Sequence, residues 1–98
     1  MKFAQTIDFR SSRIAELDHY LDAWMARTQD DRIPHRALLT KDRDAEDQYT
    51  LMVVFASHSQ AMENSNRPQT AEFAAFLAGI CEGAPTFRNL DVLREEEL

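Results

Sequence analysis

The segment QYTLMVVFA, residues 48–56, puts Tyr49, Leu51, Val53 and Phe55 on one side of an extended chain and Met52 and Val54 on the other. A strand that is apolar on both sides has to be covered on both sides. No other stretch limits the fold as strongly. A sheet built around this strand needs helices against one face and a second cover against the opposite one. A chain of 98 residues encloses one modest core and has nothing left for a second, so the expected organisation is a single domain over residues 1–98.

The rest of the chain supplies the other elements. KFAQTIDF alternates Phe3, Gln5, Ile7 and Phe9 against Ala4, Thr6 and Asp8, the period of a strand. Ser11 and Ser12 offer N-caps for a helix over residues 12–28, whose apolar stripe is Ile14, Leu17, Leu21, Trp24, Met25 and Thr28. Pro34 ends that region and biases Ile33 toward extended geometry. HRALLTKD then reads as a second strand, joined to residues 48–56 through the polar loop DRDAED. Ser57 and Gln60 have the spacing of a capping box, which starts a short helix. Pro68 suits the first turn of another, with Phe73, Ala74, Phe76, Leu77 and Ile80 on one stripe and Gly83 and Pro85 behind it. TFRNLDVLRE alternates as a last strand.

This βαββαβ order predicts an α+β fold, a ferredoxin-like four-stranded antiparallel sheet with its helices on one face. The uncovered face, holding Met52 and Val54, is expected to meet a second copy under two-fold symmetry, giving a homodimer. Thr6, Asp8, Thr50 and Asp91 are the polar groups expected on that face or at its margin.

Composition narrows the chemistry. A net charge of −6 with acidic residues interleaved among the basic ones of residues 27–43 argues against nucleic acid and anionic membranes as partners. No apolar run approaches the roughly 20 residues of a membrane span, and MKFAQTIDFR lacks the continuous apolar core of a signal peptide. The expected location is cytoplasmic. Cys81 has no second thiol for a disulfide and reads as a small buried hydrophobe. His19, His35 and His58 lie on three different elements without metal-ligand spacing, so no metal is expected. On the first helix His19 points away from the stripe, and His35 reads as a surface residue. His58, just after the third strand, is the histidine best placed to reach the end of the sheet. The two glycines allow no phosphate-binding loop, and no nucleophile elbow is present.

The stretch YTLMVVFASHSQAMENSNRPQTAEFAAFL, with its strand ending at Phe55 and Ser57 and then Ala61, Asn64, Ser65, Pro68, Thr70 and Phe73, resembles the antibiotic biosynthesis monooxygenase-like group of dimeric α/β-barrel proteins. The resemblance implies ferredoxin-like homodimers whose sheets pack into a barrel, with a ligand cavity between helices and sheet in each subunit. It covers cofactor-independent oxygenases of polyaromatic or quinol compounds, haem-degrading enzymes, isomerases of small signalling molecules and many members with no known activity. The haem-degrading pattern of an Asn on the first strand with a Trp and a His in the second half is not matched here. The first strand offers Gln5 and Asp8, and the only Trp is Trp24 in the first helix.

The expectation carried forward is a homodimer with an apolar pocket for a small apolar or aromatic molecule, acting as a cofactor-independent monooxygenase of an aromatic or quinone-like metabolite. Trp24, Phe73 and Phe76 are the candidate lining residues, and His58, Asn64 and Arg67 the candidate catalytic groups at its mouth. The alternative is a non-catalytic dimer that binds a small molecule or another protein. An enzyme would keep a proton acceptor inside the pocket, whereas a binder needs none.

Overall fold

Alternation in the first ten residues becomes β1 (Phe3–Arg10), the strand around which the computed structural model, describing residues 1–98, is organised. Along the chain follow α1 (Ile14–Arg27), β2 (Arg36–Lys41), β3 (Gln48–Phe55), α2 (His58–Ser65), α3 (Pro68–Ile80) and β4 (Thr86–Asp91). The sheet is antiparallel throughout, in the order β2-β3-β1-β4. This is the ferredoxin-like arrangement, with the second helical region divided in two. The division falls where Pro68, at the start of α3, cannot extend α2 without losing a backbone donor.

Ladder register decides which residues share a face. Phe3 pairs with Phe55, Ile7 with Leu51 and Phe87, and Phe9 with Tyr49, so the odd positions of β1, β3 and β4 face the helices. Ile7, Phe9, Tyr49 and Leu51 meet Leu17 of α1 with Leu77 and Ile80 of α3 in the main core, and Phe3, Phe55 and Ala61 form a second cluster. Each large apolar side chain among them removed from water contributes about 1.5–3 kcal/mol. Stacked rings of Tyr20 and Phe76, 4.3 Å apart, join α1 to α3 above this core.

The opposite face carries Ala4, Thr6, Met52, Val54, Leu38 and Leu90, with no helix over it. Leu38 and Leu90 are 43% and 37% exposed, as open a surface as large aliphatic residues have on this sheet. Asp8 accepts a hydrogen bond from the Thr50 hydroxyl at 2.5 Å and an ion pair from Arg88 at 3.3 Å on the same side. Asp91 is the exception among the expected polar groups, because it pairs with Phe3 and therefore lies on the helix side.

One helix end differs from the sequence reading. The N-cap position of α1 is Arg13, which makes no side-chain cap bond. Ser11 instead accepts from the Arg13 N–H at 3.0 Å and donates to the Ile80 carbonyl at 2.7 Å, so the serine ties the start of α1 to the end of α3. The expected capping geometry does form at α2, where the Ser57 hydroxyl accepts from the Gln60 N–H at 3.2 Å. Gly83 adopts a φ of 83°, the left-handed turn that lets the chain leave α3 for β4. No helix is long and apolar enough to cross a membrane.

Candidate functional site

Between the helix-facing side of the sheet and α1, α2 and α3 lies a cavity of about 270 Å³. Its floor is Gln5, Ile7, Leu51 and Val53 from the two central strands, and its roof is Leu21 and Trp24 from α1 with Phe73, Ala74 and Leu77 from α3. Twelve of its nineteen lining residues are hydrophobic, so expulsion of water from apolar walls would drive occupancy, with a few polar groups left to orient the guest. Val53 packs against both the main core and the Phe3, Phe55 and Ala61 cluster, and the cavity lies alongside it.

The polar groups come from three places. Gln5 donates through its amide nitrogen to the Asn89 side-chain oxygen at 3.2 Å, which leaves its own amide oxygen as an acceptor. Asn64 lines the cavity from the last turn of α2. Its backbone carbonyl accepts from the Thr70 hydroxyl at 2.6 Å and from the Arg67 N–H at 3.1 Å, so the backbone closes the joint between α2 and α3. Arg32, Pro34 and His35 line the cavity from the connection between α1 and β2. The backbone N–H of His35 donates to the Val54 carbonyl at 2.8 Å, which extends the β2 ladder by one residue and sets His35 on the Phe55 side. His35 is exposed, so this end of the cavity meets solvent.

Of the six residues singled out from sequence, Trp24, Phe73 and Asn64 line this cavity. His58, Arg67 and Phe76 do not. His58 packs edge-on against Phe3 with ring centres 5.0 Å apart. Arg67 holds the Asp31 carboxylate at 2.5 Å and the Asp31 carbonyl at 2.7 Å, which pins the α2–α3 joint to the loop after α1. Phe76, three residues from Phe73, turns about 60° round the helix from it and stacks on Tyr20 instead. Sequence reasoning missed Gln5, Arg32 and His35. His35 was open to discovery, since it continues the alternation of Ala37 and Leu39 on the helix side of β2. Arg32 carried no periodic signal, because it lies in an irregular connection. No group of histidine, cysteine and acidic side chains gathers in a way that would hold a metal ion.

The arrangement is an α+β sandwich layer with an apolar cavity between its two layers, open at the α1–β2 connection. Compared by sequence, the chain matches no protein-family model and no curated protein. Compared by structure, it is similar to Rv0793 from Mycobacterium tuberculosis, with a TM-score of 0.77 and 17% identity over 99% of this chain and 100% of that one. SnoaB, a cofactor-independent oxygenase from Streptomyces nogalater, superposes with a TM-score of 0.77 and 15% identity over 96% of this chain and 95% of its own. A proposed antibiotic biosynthesis monooxygenase from Caulobacter crescentus does so with a TM-score of 0.78 and 16% identity over 95% and 91% of the two chains. The chain thus has the ferredoxin-like fold of antibiotic biosynthesis monooxygenase structures.

Proposed function

We propose that this chain takes a small aromatic or quinone-like metabolite into the cavity beneath Trp24 and Phe73 and oxygenates it without a resident cofactor. The observation that carries the reading is the pairing of an apolar, aromatic-roofed cavity with a few polar groups, Gln5, Asn64 and His35, at its walls. The likeness in fold to SnoaB, a cofactor-independent oxygenase, supports the class of reaction.

For a methylene carbon activated by an adjacent aromatic ketone, the imidazole of His35 accepts the first proton, and the amides of Asn64 and Gln5 hold the resulting enolate in register. The enolate passes one electron to O2, the radical pair joins as a carbon–oxygen bond, and the peroxide anion takes the proton back from His35 to give a hydroperoxide. Loss of water breaks the O–O bond and the second C–H bond and leaves a carbonyl. One oxygen atom ends in product and the other in water, and the substrate carbon supplies all four electrons.

Oxygen uptake with anthrone-type and naphthol-type substrates, combined with ¹⁸O₂ incorporation into product, tests the reaction. Asn64→Ala and His35→Ala are each expected to lower kcat at least about tenfold. A ligand that binds with no oxygen consumption would instead favour a non-catalytic binding dimer, the reading suited to the positions of His58 and Arg67 outside the cavity. The proposed assembly is a homodimer formed through the open sheet face, where Leu38, Met52, Val54 and Leu90 lie in neighbouring register positions. Light scattering at micromolar concentration checks it, and a monomer there would defeat it.

A further inference from the structure

Seven of the eleven Lys and Arg residues form ion pairs, and Arg32, at the cavity, is not among them. In a chain with a net charge of −6 a half-buried guanidinium without a carboxylate partner is unusual, since burying an unpaired charge is costly. The nearest acid in sequence, Asp31, is drawn away by Arg67 at 2.5 Å. Arg32 is nevertheless held firmly. Its Nε donates to the Thr28 hydroxyl at 3.3 Å, one terminal nitrogen donates to the Met25 carbonyl at 2.9 Å, and its guanidinium lies 5.6 Å from the centre of the Trp24 ring. Thr28 is itself 2% exposed and donates to the Trp24 carbonyl at 2.8 Å, so the arginine and the roof tryptophan are fixed to one another. The other terminal nitrogen of Arg32 remains free to donate. Arg36 also borders the cavity, but it pairs with Val54 in the ladder, which places it on the open face, where its charge reaches Glu95.

Resting on the cavity being a ligand site, we infer that the guest is a planar aromatic molecule bearing an anionic oxygen group, a carboxylate or phenolate. Its rings lie under Trp24 and Phe73, and its charge meets the free edge of Arg32. Guanidinium matches such a group in geometry as well as charge. The cavity volume of about 270 Å³ falls just under the usual range for drug-sized ligands, roughly 300–1,000 Å³, so a guest of few rings is the fitting size. The hydrogen bonds to the end of α1 also make Arg32 a helix cap, and the test has to separate the two roles.

The probes are 2-naphthoate and its neutral counterpart 2-acetylnaphthalene, titrated into the full chain while the single indole N–H resonance of Trp24 is followed by ¹H–¹⁵N NMR. Naphthoate is expected to bind about tenfold more tightly than the ketone, the gain of one charged hydrogen-bonded pair. In Arg32→Gln that preference is expected to fall to about twofold or less, with the affinity for the ketone unchanged. Arg32→Lys keeps part of it, as a charge without the planar fork. A purely capping role would weaken both probes together, because both occupy the same cavity, and would overturn the inference. So would equal binding of the two probes to the wild-type chain, or a preference that survives Arg32→Gln. In those cases the cavity still stands as a ligand site. If neither probe moves the Trp24 resonance, the cavity reading falls and this inference falls with it.

Discussion

The two faces of the sheet are built from the same strands and differ in what lies against them. On the helix side, Leu51 is 2% exposed and packs with Leu17 and Leu77, and the space those residues do not fill becomes the cavity. On the open side, the neighbouring Met52 and Val54 are half-buried beside an exposed Leu38. Alternation assigns residues to faces, but it does not say how complete each cover is. The helices over the first face decide where packing stops and a guest volume begins. No helix lies over the second face.

The comparison is most sharply tested at adjacent positions. Leu51→Ala is expected to cost about 3 kcal/mol, the transfer and cavity terms of a core leucine, measured as a fall in the urea midpoint. Met52→Asp changes the next residue on the opposite face and is expected to leave the monomer folded while abolishing the proposed dimer. Light scattering that still reports a dimer would break the assignment of that face. Thr6 sits on the open face at 2% exposure with its hydroxyl lacking any partner. Thr6→Val should therefore stabilise the chain by about 1 kcal/mol, seen as a rise in Tm of roughly 4–8 °C for a domain of this size. No rise would mean that the hydroxyl is satisfied by water or by a partner chain.

The smallest effect concerns Cys81, at the end of α3 beside the main core. Burial pushes its thiol up from the ordinary value by penalising the thiolate. Alkylation by iodoacetamide at pH 8.5 should accordingly run more slowly than that of glutathione and catch up in urea. The same sign means that the folded state holds this proton more tightly than the unfolded one. Its contribution to stability is thus present below the ordinary thiol range and lost as pH rises through the raised value. Equal alkylation rates in the folded and unfolded chain would show the helix side to be open at that point.

Much of the molecule is legible in its sequence. The order of strands and helices followed from periodicity, the start of α2 from the spacing of Ser57 and Gln60, and the start of α3 from Pro68. Placing Trp24, Phe73 and Asn64 together was legible in a weaker sense, since the resemblance pointed to a cavity between helices and sheet. Phe76 went elsewhere because a stripe of apolar residues has two edges. The edge facing α1 took Phe76 onto Tyr20, and a loop acid thirty-six residues back in the chain took Arg67.

By itself the sequence determined what local physics can read: alternation in the strands, the helical stripe, the caps and the breaks. Those properties depend on residues a few positions apart and survive without knowledge of the rest of the chain. Only the tertiary structure decided that Gln5, Asn64, Arg32 and His35, drawn from a strand, a helix end and a connection, border one volume. It also decided that the charge of Asp31 is taken by Arg67 and not by its neighbour Arg32. Long-range packing and charge pairing depend on distances between segments far apart in the chain, and no spacing along the sequence records them.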